Sequence, residues 1–158
     1  MPVVLRELLA ILASKSRDNS RTPMQWDASQ HAGFTEGEPW INLCDNAAEI
    51  NVVAALNDTD SVFYTYQKLI ALRKVEPVIT WGDYQDLLPD SPHLWCYQRE
   101  WQGQRLLVIA NLSDTFQSWQ PTQTDGNWQV LMHNYAEVAS QPGDMTLRPF
   151  EAVWWVQK

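Results

Sequence analysis

Positive charge is scarce in this sequence: 11 Lys and Arg stand against 19 Asp and Glu, a net charge of −8 at pH 7. That balance excludes nucleic acid and anionic membranes as partners. No apolar run approaches the roughly 20 residues of a membrane-spanning helix. Met1–Leu5 meets Arg6 and Glu7 before an apolar stretch develops, so no export leader is expected. Only two cysteines occur, Cys44 and Cys96, far apart, which leaves neither a disulfide framework nor a zinc pattern and suits a reduced, cytoplasmic setting. His31, His93 and His133 have no two-ligand metal spacing and no Ser or Cys nucleophile motif beside them, and there is no phosphate loop. Hence neither metal nor cofactor is expected. Internal repeats and low-complexity tracts are also missing.

What is present divides in two. Leu5, Leu8, Leu9 and Leu12 recur at spacings of three and four, predicting an amphipathic helix over 2–14. Residues 15–48 read as a long loop punctuated by Pro23, Gly33, Gly37 and Pro39, and loops of that length are usually functional. Asn51 is placed to cap a short helix through Leu56, and Asp60 a longer one to Val75. In the longer helix Val62, Phe63, Tyr66, Leu69 and Ile70 form an apolar stripe, Arg73 and Lys74 complement the dipole, and Pro77 stops it. From Val78 the period falls to two. Strands are expected over 78–88, 93–100, 105–113, 127–133, 145–148 and 152–157, with Gly103 at a hairpin and Asp125-Gly126 at another. Continuously apolar 106–110 reads as a central strand covered on both faces. Nine tryptophans are many for 158 residues, and core packing is the expected use of most. The fold class is α+β, helices and a long loop followed by an antiparallel β-sandwich, with the boundary near Glu76-Pro77.

One stretch concentrates polar chemistry. Ser16-Arg17-Asp18-Asn19-Ser20-Arg21-Thr22-Pro23-Met24-Gln25-Trp26-Asp27 leaves the first helix as a densely specified loop. Arg17 and Arg21 are planar donor forks that fit paired oxygens, of a carboxylate or of vicinal sugar hydroxyls. A purely structural use would pair them with Asp18 and Asp27 to hold the loop.

The string resembles the signature of the α-glucosidase branch of glycoside hydrolase family 13. The similarity continues through His31-Ala32-Gly33-Phe34-Thr35, Gly37-Glu38-Pro39-Trp40-Ile41, Glu49-Ile50-Asn51-Val52, Asp60–Tyr64, Lys68–Lys74, Leu107–Asn111, His133-Asn134-Tyr135 and Leu147–Ala152, in order. Within the branch, Ser14-Lys15-Ser16, Ser20, Leu94–Trp101 and Phe150–Trp155 are most similar to members acting on trehalose 6-phosphate, and next to those acting on α-1,6-linked oligosaccharides. The resemblance implies a (β/α)8 barrel with a C-terminal β-domain. A whole barrel takes about 250 residues, so residues 1–77 would be the end of one, with the pocket loop, and 78–158 the all-β domain.

It also implies roles. Arg17 is expected to hold the non-reducing-end glucose before the scissile bond; Arg21 either contacts sugar or braces the loop; Asp18 orients the arginines. Trp26 and Phe34 either border the pocket or lie beneath the loop. No catalytic residue is assigned, because a retaining glycosidase needs two carboxyls about 5–5.5 Å apart and the family's lie on earlier strands. Glu36 and Glu38 are rejected as that pair, since a flexible, Gly-rich setting gives no reason for a raised pKa. The chain alone is expected to be inactive, and the bared stripe over 60–75 to pair with the rest of a barrel or with itself. The competing function is a stand-alone carbohydrate-binding or structural β-domain.

Overall fold

The computed structural model of the chain describes residues 7–9, 11, 12, 17–121 and 125–158. They cluster into two compact units, 1–69 and 70–158. Of the helix expected over 2–14, residues 7–9, 11 and 12 are helical, and the remainder lies outside the described residues.

In the first unit Asn51 caps the Val52–Asn57 helix as expected, its side chain accepting from the Ala54 N–H at 2.9 Å. Ser61 Oγ and Tyr64 Oη donate to the carbonyls of Ala55 and Leu56, satisfying that helix's C-terminal end. The next helix runs Val62–Val75, beginning in the first unit and ending in the second, and buries none of its side chains. It starts later than Asp60 would allow as a cap: the Asp58 carboxylate takes the Asp60 N–H at 2.9 Å in a local turn, and the Ser61 carbonyl accepts from Thr65. The expected apolar stripe is there and exposed, with Val62, Phe63, Tyr66 and Ile70 all open to solvent.

In the second unit, five antiparallel strands form a sheet in the order β1 (Asp83–Asp86), β2 (Leu94–Trp101), β3 (Gln104–Asn111), β7 (Ala152–Gln157), β5 (Gln129–His133). A two-stranded sheet, β4 (Gln117–Trp119) with β6 (Met145–Leu147), packs on one face. The apolar run over 106–110 falls in β3, the middle strand, and Leu106 to Ile109 are all buried. Between the sheets lie Leu94, Cys96, Leu107, Ile109, Trp119, Trp128, Leu147, Val153 and Trp155. Burial of each such side chain is worth about 1.5–3 kcal/mol. On the opposite face Val78 packs with Leu106, Val108 and Val156.

Several sequence expectations change. The strand expected over 78–88 is a short helix, Pro77–Trp81, followed by β1. Pro77 begins that helix because its fixed φ suits the first turn and its missing N–H has no partner to lose there. Gln102-Gly103 closes the β2–β3 hairpin with φ of 50° and 83°, the left-handed pair a two-residue turn requires. Asp125-Gly126 closes no hairpin, because the strands flanking it, β4 and β5, belong to different sheets. Its Asp125 carbonyl instead accepts from Arg105 and Gln157. Tryptophan is also used differently than expected. Trp119, Trp128 and Trp155 are buried and Trp154 partly so, while Trp26, Trp40, Trp81, Trp95 and Trp101 are exposed.

Candidate functional site

The polar stretch opens with a single 3₁₀ turn, Arg17–Ser20. Ser20 Oγ donates to the Arg17 carbonyl at 2.9 Å, and the Arg21 N–H to the Asp18 carbonyl at 3.0 Å. Arg17 and Arg21 are exposed, and no ion pair joins either guanidinium to a carboxylate of the described residues. The structural pairing with Asp27 is therefore not made. Asp27 Oδ1 accepts from both the N–H and the hydroxyl of Ser29, and those bonds hold its carboxyl below the usual aspartate range.

The loop is pinned to the Val52–Asn57 helix through backbone. The Val52 N–H donates to the Gln25 carbonyl at 2.9 Å and the Val53 N–H to the Trp26 carbonyl at 3.0 Å. With Ala54 taken by the Asn51 side chain, the donors a helix leaves unpaired in its first turn are satisfied by this segment. Gln25 Nε2 reaches the Ile50 carbonyl, and Asn51 Nδ2 the Ala47 carbonyl at 3.0 Å. The apolar groove beside this anchor, about 400 Å³, is lined by Pro23, Met24, Ile50, Val52, Ala55 and Phe63 among others.

Residues 30–33 make a left-handed turn, with φ of 53° at His31, 54° at Ala32 and 66° at Gly33. Left-handed backbone at non-glycine residues costs about 1 kcal/mol or more each and persists only when its surroundings fix it. Here the buried Ala32 carbonyl accepts from both Trp26 and Asp27, at 2.9 and 3.3 Å. Gly33 has no freedom to change: a Cβ there would stand 2.8 Å from Asp27 Oδ2. Phe34 follows, its N–H on the His31 carbonyl at 3.0 Å.

An open depression is lined by Ser29, Gln30, His31, Gly33, Phe34, Thr35 and Glu36. Trp26 and Phe34 are each 49 % exposed, so neither is buried beneath the loop. Phe34 joins the lining of the depression; Arg17, Arg21 and Trp26 do not. Glu38 is exposed, 3.9 Å from His31 Nε2, a separation too long for a hydrogen bond. Among the described residues no group of three His, Cys, Asp or Glu could hold a metal ion. His31 is the loop residue to which sequence reading gave no structural role here. Its signal lay in the neighbouring Gly33, whose φ is 66°.

The alpha-amylase family model, "Alpha amylase, catalytic domain", matches residues 4–82. The chain belongs to the alpha-amylase family. It is 72% identical over 152 residues to the trehalose-6-phosphate hydrolase of Escherichia coli (strain K12), covering 96% of this chain and 28% of that protein. An oligo-1,6-glucosidase of Heyndrickxia coagulans is 47% identical over 154 residues, covering 96% of this chain and 27% of that protein. The crystal structure of Bacillus licheniformis trehalose-6-phosphate hydrolase superposes with a TM-score of 0.90 at 42% identity, covering 95% of this chain and 28% of that one. The chain thus spans little more than a quarter of the length of these relatives. The family match ends at Gly82, directly before β1. Among the described residues no helix is long and apolar enough to cross a membrane.

Proposed function

We propose that these residues belong to a retaining α-glucosidase that hydrolyses trehalose 6-phosphate to glucose and glucose 6-phosphate. Residues 1–77 supply the end of its catalytic barrel and residues 78–158 its C-terminal β-domain. The observation that carries this reading is the 72% identity to a trehalose-6-phosphate hydrolase across nearly the whole chain. In it, Arg17 holds vicinal hydroxyls of the glucose before the scissile bond, because two parallel hydrogen bonds from one rigid fork fix a ring's orientation. Arg21 contacts the same sugar or braces the loop; Asp18, Trp26 and Phe34 support it. The nucleophile and the acid/base carboxyl come from the rest of the barrel, so this chain is inactive alone. The exposed Val62–Val75 helix and the apolar groove beside Pro23 and Met24 are where the rest of the barrel, or a second copy, covers this part. A cytoplasmic setting fits the two unbridged thiols.

Purified chain is expected to release no glucose from trehalose 6-phosphate above a buffer blank, and clear hydrolysis would overturn the assignment of catalysis elsewhere. Joined to the preceding portion of the Escherichia coli relative, it is expected to restore hydrolysis, and Arg17→Ala in that hybrid to lower kcat/KM about 100-fold, the loss of two charge-assisted hydrogen bonds. The second reading is an oligo-1,6-glucosidase, favoured by a relative of that name standing at 47% identity, above the Bacillus licheniformis hydrolase at 42%. Turnover of isomaltose in preference to trehalose 6-phosphate by the same hybrid would select it.

A further inference from the structure

On the covered face of the five-stranded sheet, polar side chains stand in line with the apolar core. Along β2 the inward residues Leu94 and Cys96 are buried core, and the next inward position is Gln98. Directly opposite it on β1 stands Gln85, and opposite it on β3 stands Leu107, whose partner on β7 is Trp155. One row therefore runs Gln85, Gln98, Leu107, Trp155 across four strands, polar at one end and apolar at the other. Trp119 of the small sheet stacks on Trp155, ring centroids 6.1 Å apart and planes at 17°. Two strands cannot cover five, and Gln98 is only partly buried while Gln85 is exposed. A recess of about 210 Å³ is walled by Gln85, Gln98, Gln120, Leu88, Leu107 and Trp119 among others.

The wall chemistry is selective. Each glutamine offers two N–H donors and a carbonyl acceptor. Among the described residues, no hydrogen bond engages the side chain of Gln85 or Gln98, and Gln120 has only a long contact to Asp144 at 3.5 Å. No charged side chain lines the recess. A phosphate, carboxylate or amine would find no counter-charge there, whereas hydroxyl groups, which both give and accept, match amides on every side. The leucines and Trp119 supply the apolar floor that the C–H face of a sugar ring needs. At about 30 Å³ per water the space holds roughly seven waters, enough for one ring and too little for two. Polar residues at core-facing positions are where local rules yield to function.

We propose that this recess binds a single neutral hexopyranose, held by Gln85, Gln98 and Gln120 over Leu107 and Trp119. The site does not rest on the substrate assigned to the whole enzyme, and none of its residues belongs to the Arg17–Phe34 loop.

The test is a titration of the 158-residue chain with glucose, following the side-chain amide signals of Gln85 and Gln98 by nuclear magnetic resonance, with open-chain sorbitol as comparator. Glucose is expected to give saturating shifts in the millimolar range. Binding should weaken at least tenfold in Gln98→Leu and in Gln85→Ala, and stay unchanged in Arg17→Ala. Gln98→Leu extends an apolar row, and dispersed Trp119 and Trp155 indole signals report that it has folded; should it not fold, Gln85→Ala on the edge strand decides alone. Absence of saturation up to about 100 mM glucose, a free energy weaker than about 1.4 kcal/mol, would overturn the proposal. So would equal shifts with sorbitol, or binding that is lost in Arg17→Ala and kept in Gln98→Leu or Gln85→Ala.

Discussion

The carboxylate of Glu151 receives the guanidinium of Arg148 as a fork, Nη2 to Oε1 at 2.7 Å and Nε to Oε2 at 3.0 Å, and Arg148's own N–H adds a third bond to Oε2 at 2.8 Å. Glu151 is only 2 % exposed. Arg148 also donates to the Glu137 carbonyl and lies 4.0 Å over the Tyr135 ring. Asn111 at the end of β3 joins the same knot, its N–H on the Glu151 carbonyl at 2.8 Å and its amide on the Arg148 carbonyl at 2.9 Å. This small network fixes the turn that delivers β7 to the sheet.

The Arg148 hydrogen bonds hold the Glu151 carboxyl below the usual glutamate range. A depressed folded-state pKa gives stability that is present above the unfolded value, about 4.3, and is lost as pH falls through the folded one. Glu151→Gln is expected to cost about 1–3 kcal/mol at pH 7, the lower part of the range for a charged pair because Arg148 is partly solvated. The gap between variant and parent should close below about pH 4. Thermal unfolding of both at a series of pH values measures it, and a gap independent of pH would contradict the pairing.

Trp119 is the only aromatic that the small sheet contributes to the core among the described residues, and it is 5 % exposed. Trp119→Ala should destabilise the second unit by about 3–5 kcal/mol through lost burial and a residual cavity. Urea unfolding followed by the near-ultraviolet signal of the remaining tryptophans reads the change.

Burial pushes the Cys96 thiol up to about 12, helped by the charge of Asp86. The thiolate is the reactive form, so Cys96 is inert in the folded chain while Cys44 is exposed. A thiol reagent at pH 8 is expected to titrate one sulfhydryl in native protein and two in denaturant. Two in native protein would place Cys96 outside the core.

The loop carrying Arg17 and Arg21 is held by Asn51 and by the turn at Gly33. Asn51→Ala removes a helix cap and a tie to Ala47, a loss of about 1–2 kcal/mol. Gly33→Ala sets a Cβ against Asp27 at a φ of 66° and should cost at least about 1 kcal/mol. Both are expected to speed proteolysis within residues 17–50 and leave amide exchange in β3 unchanged.

Much of this protein was legible without coordinates, wherever the controlling interaction is local. Asn51 as a cap, Gln102-Gly103 as a turn and the continuous apolar run of β3 follow from residues within a few positions of one another. So does the polar density of residues 17–27, which points to family and loop. What the sequence could not disclose is set by partners far along the chain. Val78 enters a helix because it packs on Leu106 and Val156. Asp125-Gly126 joins two sheets because β4 pairs with β6 and β5 with β7. Gln98 lines an open recess because two strands cannot cover five. Propensity and capping act over one turn of chain, whereas burial depends on which strands meet, and only the tertiary structure decides that.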